Sequence, residues 1–132
     1  MKEEVKKEWI KRLRLGDVKQ GYGKLGTTAG YRSPLGVLCD IAVDHGVIDR
    51  PGRTGPDMGG GSTLVYGDET LPIEVCEWAD ITHDGKFDVG LGIGPNWMSV
   101  KKANDGLRIS LEGMAALIEC SELTGYTADV DQ

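Results

Sequence analysis

Aromatic residues make up only 6% of the 132-residue chain, which also has just two histidines, three cysteines and five prolines and no apolar run near the length of a membrane span. Each shortage excludes something. A spanning helix needs about 20 predominantly apolar residues, so none is expected. The opening MKEEVKKEW lacks the apolar stretch of a secretory signal. With only His45 and His83, and no Cys-x-x-Cys pair, the ligand spacing of a zinc or iron site is missing. Cys39, Cys76 and Cys120 are odd in number, far apart and each set in an apolar segment that reads as helix. They read as buried free thiols in a reducing compartment rather than as a disulfide framework. The expectation is a soluble, cytoplasmic protein with no membrane association.

What the chain does contain is a globular balance, 39% hydrophobic and 27% charged residues, with 20 glycines that call for many turns. The length suits one domain over residues 1–132. Charge is unevenly placed. Residues 1–34 hold nine Lys/Arg against four Asp/Glu, and the remainder holds six against seventeen. A basic first helix could be a nucleic-acid patch, a solvated face or one side of an intramolecular fit. The net charge of −6 argues against the first.

Helical periodicity over residues 3–15 puts Val5, Trp9, Ile10 and Leu13 on one face, ended by Gly16-Asp17. GYGKLGTTAGY, residues 21–31, reads as a tight β-hairpin or an irregular loop. Ser33-Pro34 is an N-cap followed by proline at the first helical position, and the helix it starts should run to Gly46 with Leu35, Leu38, Cys39 and Ala42 buried. Residues 49–63, rich in glycine and proline, read as a flexible loop, either a lid or a tolerated insertion. Then come a short strand at 63–66, a helix at 72–79 with Val75, Cys76 and Trp78 inward, a strand at 86–91 and a helical turn or two at 97–103. A last helix, capped by Ser110 and stapled by Ile109 and Met114, should end near Gly125, with residues 126–132 frayed. The sum is an α+β domain, helix-rich, with short antiparallel strands or hairpins and long glycine-rich loops.

Asp80, Thr82, Asp84 and Asp88 fall at the oxygen positions of a calcium loop, with Gly85 at the turn. Position twelve is Leu91 instead of a bidentate glutamate, so the favoured reading is a hairpin turning at Asp84-Gly85 between 80–82 and 86–89. Cys39 paired with either histidine would sit on an apolar helix face, where a thiol stays protonated. No catalytic residue, cofactor or firm metal site is therefore expected. One ligand site is conceivable, from Gln20, Gly21, Ser33, Gly36, Asn104 and Asp105. The open N–H groups at the Ser33-Pro34 helix start would seat an anion, and Gly36 would let it approach. Ordinary capping is the competing reading. In either case Asn104 or Asp105 is expected to reach the 16–36 region, because a glycine-rich stretch with little apolar area needs polar cross-links.

The segments KQGYGKLGTTAGYRSPLGVLCDIA, LPIEVCEWA and ANDGLRISLEGMAALIE resemble a group of small uncharacterised proteins found mainly in tailed bacteriophages of actinobacteria and other bacteria. The order of motifs matches across residues 9–119, loops excepted. Ser33-Pro34 stands where that group often has Cys-Cys, and Ala116 where it often has Asp. A catalytic thiol at that helix start is thus missing, which favours binding over catalysis. The absence of any complete catalytic constellation, together with the resemblance, leads to the expectation of a non-enzymatic phage accessory protein, made in the host cytoplasm, that binds a host or defence-system protein. The alternative is a binder that sequesters a small anionic, nucleotide-like ligand. A cryptic hydrolase ranks last, since neither base nor nucleophile is identifiable.

Overall fold

A computed structural model describes residues 1–49, 64–66, 70–88 and 97–126. It shows an α+β fold, with five helices and six short strands among the described residues. Helix α1 (Glu3–Leu15) buries Val5, Trp9, Ile10 and Leu13 and stops at Gly16, which takes the left-handed φ of 68°. Glu3 and Glu4 in its first turn and Arg12 and Arg14 in its last complement the helix dipole. The Trp9 indole donates a 2.8 Å hydrogen bond to the Pro34 carbonyl, so the only polar atom of a fully buried side chain is satisfied and α1 is pinned to the next helix.

Strands β1 (Lys19–Gln20), β2 (Gly26–Thr27), β3 (Tyr31–Arg32) and β4 (Leu64–Val65) form one sheet in the order β1-β3-β2-β4. β1 runs parallel to β3, and β2 lies antiparallel to both β3 and β4. Helix α2 (Pro34–Asp44) follows at once, with Pro34 in its first turn and Ser33 Oγ accepting the Gly36 N–H at 3.1 Å. Its residues from Pro34 to Cys39 are all buried, so α2 is the central helix rather than an amphipathic one. Gly46, at φ 74°, ends it in the left-handed turn expected of a C′ residue.

Helix α3 (Ile73–Ala79) buries Val75, Cys76 and Ala79, with Trp78 half-buried against the core. Strand β5 (Lys86–Asp88) pairs antiparallel with β6 (Trp97–Ser99), Phe87 opposite Met98. Helix α4 (Val100–Asp105) is capped by Ser99 Oγ on Lys102 N, and α5 (Leu111–Glu119) by Ser110 Oγ on Gly113 N, both at 3.0 Å. One apolar core joins all five helices, with Trp9, Leu38, Val75, Phe87, Ala103 and Met114 fully or almost fully buried.

Several expectations need correction. Residues 97–99 are strand, and the helix begins only at Val100, because Ser99 both ends the ladder and caps the helix. The Asp84-Gly85 turn exists, with Gly85 at φ 72°, but 80–82 is not its returning strand. Asp80 sits in the left-handed region as the cap of α3, which bends the chain away from extension, and β5 pairs with β6 instead. Cys120 is exposed, since α5 turns Leu111, Met114, Ala115 and Ile118 inward and its C-cap lies off that stripe. Tyr126 is held by its backbone N–H on Asp80 Oδ1 at 3.0 Å. The loop expected over 49–63, apart from its first residue, the part of the expected 86–91 strand beyond Asp88 and the expected frayed end after Tyr126 lie outside the described residues.

The uneven charge resolves as an intramolecular fit. Arg12 meets Asp44 at 2.9 Å and Arg14 meets Glu119 at 2.8 Å. Glu8 contacts His45, and Lys6 Nζ donates to the Ser121 carbonyl at 2.7 Å. These contacts are solvent-facing, so they set the register of α1 on α2 and α5 more than they stabilise it.

Candidate functional site

Gln20, Gly21, Asn104 and Asp105 come together. Gln20 Nε2 donates to Asn104 Oδ1 at 2.7 Å and to the Ile109 carbonyl at 2.6 Å. Asn104 Nδ2 donates to the Gly21 carbonyl and to Asp105 Oδ1, each at 2.9 Å, and Asp105 Oδ1 also accepts the Gly23 N–H at 2.8 Å. A carboxamide both gives and accepts at one position, and Asn104, 1% exposed, uses both ends. This clasp ties the glycine-rich stretch to the end of α4. The expected cross-link is present.

Ser33 and Gly36 adjoin the clasp but hold nothing open. Ser33 caps α2 itself, and its backbone N–H donates to the Leu25 carbonyl at 3.0 Å. That same carbonyl fills the space over Gly36, where an added Cβ would lie 1.8 Å from it. The close approach that glycine permits here is by backbone. Between Ser33, Pro34, Lys24 and Asn104 no room remains for a water-sized molecule.

Two hollows flank this region. A cleft of about 400 Å³ is lined by Gln20, Gly21, Tyr22, Lys24, Thr27 and Tyr31. Cations lie against both tyrosines: Arg108 is 4.2 Å from the Tyr22 ring centre and Lys19 Nζ is 5.5 Å from that of Tyr31. A larger cavity of about 460 Å³ opens beside α2 and includes Arg12, Arg32, Asp40, Asp44 and Tyr66. Arg32 Nε donates to both Asp40 oxygens, at 3.1 and 3.0 Å, while its Nη1 donates to the Thr27 carbonyl. The Tyr66 hydroxyl donates a short hydrogen bond to Asp40 Oδ1. Burial, then that bond, raises the pKa of Tyr66, so the phenol stays a donor. This triad locks β3 and β4 onto α2. Sequence reasoning missed it, because Arg32 and Asp40 straddle a helix start and Tyr66 lies far along the chain.

Thiol chemistry is suppressed at the two buried cysteines. Burial pushes the Cys39 thiol far up, and that of Cys76 up to about 11. Cys76 Sγ does lie 3.5 Å from His83 Nδ1, a pairing not anticipated. His83 Nδ1 is also 2.9 Å from the Leu71 carbonyl, which can only accept. That nitrogen therefore carries its own proton and cannot take the thiol's. Native protein is expected to react with iodoacetamide at Cys120 alone at neutral pH, and at all three cysteines in denaturant; mass spectrometry counts the adducts, and fast native labelling of Cys76 would overturn the assignment.

Of the calcium-loop residues, Asp80 accepts from Tyr126 N and lies 3.9 Å from the Met1 amine, and Thr82 Oγ1 accepts from Lys86 N while donating to Asp84 Oδ1. The side chain of Asp88 is not among those described. Among the described residues no three His, Cys, Asp or Glu side chains are grouped to hold a metal, and no helix is long and apolar enough to cross a membrane.

Fold and clasp together define a small helix-rich α+β domain whose glycine-rich segment is tied down by one buried and one half-buried carboxamide. Residues 1–123 match the model of the Domain of unknown function (DUF8296), and the chain belongs to that family. No curated protein and no solved structure gives a significant match.

Proposed function

We propose that this chain is a non-enzymatic accessory protein of a tailed bacteriophage that works in the host cytoplasm by binding a host or defence-system protein. The observation that carries the reading is an open groove of about 450 Å³ along α1 and the end of α5. Ile10 and Leu15 supply its apolar floor, and Lys7, Lys11, Arg14 and Glu119 its rim. Leu15 is 60% exposed, which keeps most of its apolar area in water in the free protein and leaves it to be buried by a partner. Three cations to one carboxylate on the rim select an apolar side chain presented from an acidic surface.

Capture from host lysate tests this, with the intact chain and Leu15→Ser as paired baits. A partner enriched by the first and lost with the second, at unchanged melting temperature, is the expected result. An equal yield from both baits, or no enriched partner under several salt conditions, counts against the groove.

A further inference from the structure

We infer that the cleft between Tyr22 and Tyr31 binds a free nucleoside monophosphate, with the base against the tyrosine rings and the phosphate toward Lys24. The site is separate from the groove on α1 and α5, and it stands or falls independently of it.

Four observations converge. The first is size: about 400 Å³ lies within the range of small-molecule sites, roughly 300–1,000 Å³. The second is charge. Among the described residues lining the cleft, Lys24 is a cation and no carboxylate occurs, while Lys19 and Arg108 bring two more cations against its tyrosines. Asp105, whose carboxylate reaches Gly23 between Tyr22 and Lys24, is already engaged by Gly23 N, Asn104 Nδ2 and Lys101 Nζ. An anion is favoured there in a protein whose overall charge is negative.

The third is shape. Two aromatic side chains of one cleft, each backed by a cation, offer flat platforms of the kind on which bases stack. The fourth is an unmet hydrogen bond. Thr27 is 6% exposed, and its hydroxyl is the buried side-chain polar atom left without a partner among the described residues. A buried hydroxyl without a partner is costly, and a base edge or ribose hydroxyl would satisfy it once a small side-chain shift turns the oxygen to the cleft. Thr27 also borders the larger cavity, but there Arg32 and Arg12 are neutralised by Asp40 and Asp44, and Asp17 adds a third carboxylate that repels phosphate. The clasp completes the case, because it fixes Gln20 and Gly21, one wall of the cleft, before any ligand arrives.

Isothermal titration of the 132-residue chain decides it, using AMP, GMP, CMP and UMP alongside adenosine, inorganic phosphate and a short single-stranded oligonucleotide. Saturable binding of at least one monophosphate is expected, weakened about tenfold or more when the phosphate is absent and again in Lys24→Glu and Tyr31→Ala. Both substitutions are on partly or well exposed side chains, and unchanged melting temperatures confirm that the fold persists. The inference is overturned if no monophosphate saturates, if inorganic phosphate binds as well as the nucleotides, if only the oligonucleotide binds, or if Lys24→Glu binds as the parent does.

Discussion

Gly36→Ala is expected to leave the protein unable to fold stably at 37 °C. Inside a helix, glycine to alanine ordinarily stabilises by about 1 kcal/mol, so ordinary helix propensity points the other way. Here the new methyl would sit 1.8 Å from the Leu25 carbonyl oxygen and 2.8 Å from its carbon. Neither neighbour is the loose end of a side chain. The carbonyl accepts from Ser33 N, and α2 is fixed by buried residues along its first turns, so neither side can retreat without breaking the hairpin-to-helix junction. Overpacking of this kind costs about 1–3 kcal/mol when side chains yield and more when backbone must, against a total stability of about 5–15 kcal/mol. Urea titration and soluble yield are the readouts. A Gly36→Ala protein as stable as the parent would show that α2 and residue 25 are not in contact.

The second large effect belongs to Asn104. Asn104→Ala removes the acceptor for Gln20 and the donor to Gly21 together, leaving the buried Gly21 carbonyl unpaired and the half-buried Gln20 amide with only its bond to Ile109. A loss of about 2–4 kcal/mol is expected, more than one ordinary hydrogen bond, because the stranded partners bear their own desolvation cost. Asn104→Asp should do no better, since an oxygen would then face the Gly21 carbonyl oxygen. Hydrogen exchange separates this from a general loosening: Gly21 and Gly23 should lose protection before α2 does. A change under about 0.5 kcal/mol would mean that the clasp is incidental.

Elements whose signals are local were legible in the sequence. Helix α1 announced itself by the spacing of Val5, Trp9, Ile10 and Leu13, α2 by Ser33-Pro34 and Gly46, and α5 by Ser110. The contact from Asn104 to Gln20 and Gly21 was legible for a different reason: residues 21–31 have too few apolar side chains to order themselves, so polar cross-links had to come from elsewhere. Pairings between distant segments were hidden. Three residues, Trp97–Ser99, carry no period that separates strand from helix, and residues 89–96 part them from their partner β5. The left-handed turn at Asp80 and the exposure of Cys120 follow from how α3 and α5 dock. The Arg32–Asp40–Tyr66 lock needs β4 beside β2 before it can be imagined.

The same clasp sets an order of events during synthesis. Residues 20–23 leave the ribosome long before Asn104 and Asp105, and α1 long before the α5 helix it packs on. At about 5–20 residues per second, Trp9, Leu25 and the α2 face spend several seconds without their covering elements. Local helices can form in that interval, but the three strands of residues 19–32 cannot be held and the core cannot close until the last quarter of the chain is out. Folding is thus gated by the carboxyl-terminal helices. A nascent chain arrested before α4 would present the buried residues of α1 and α2 to chaperones, whereas one released after α5 would not.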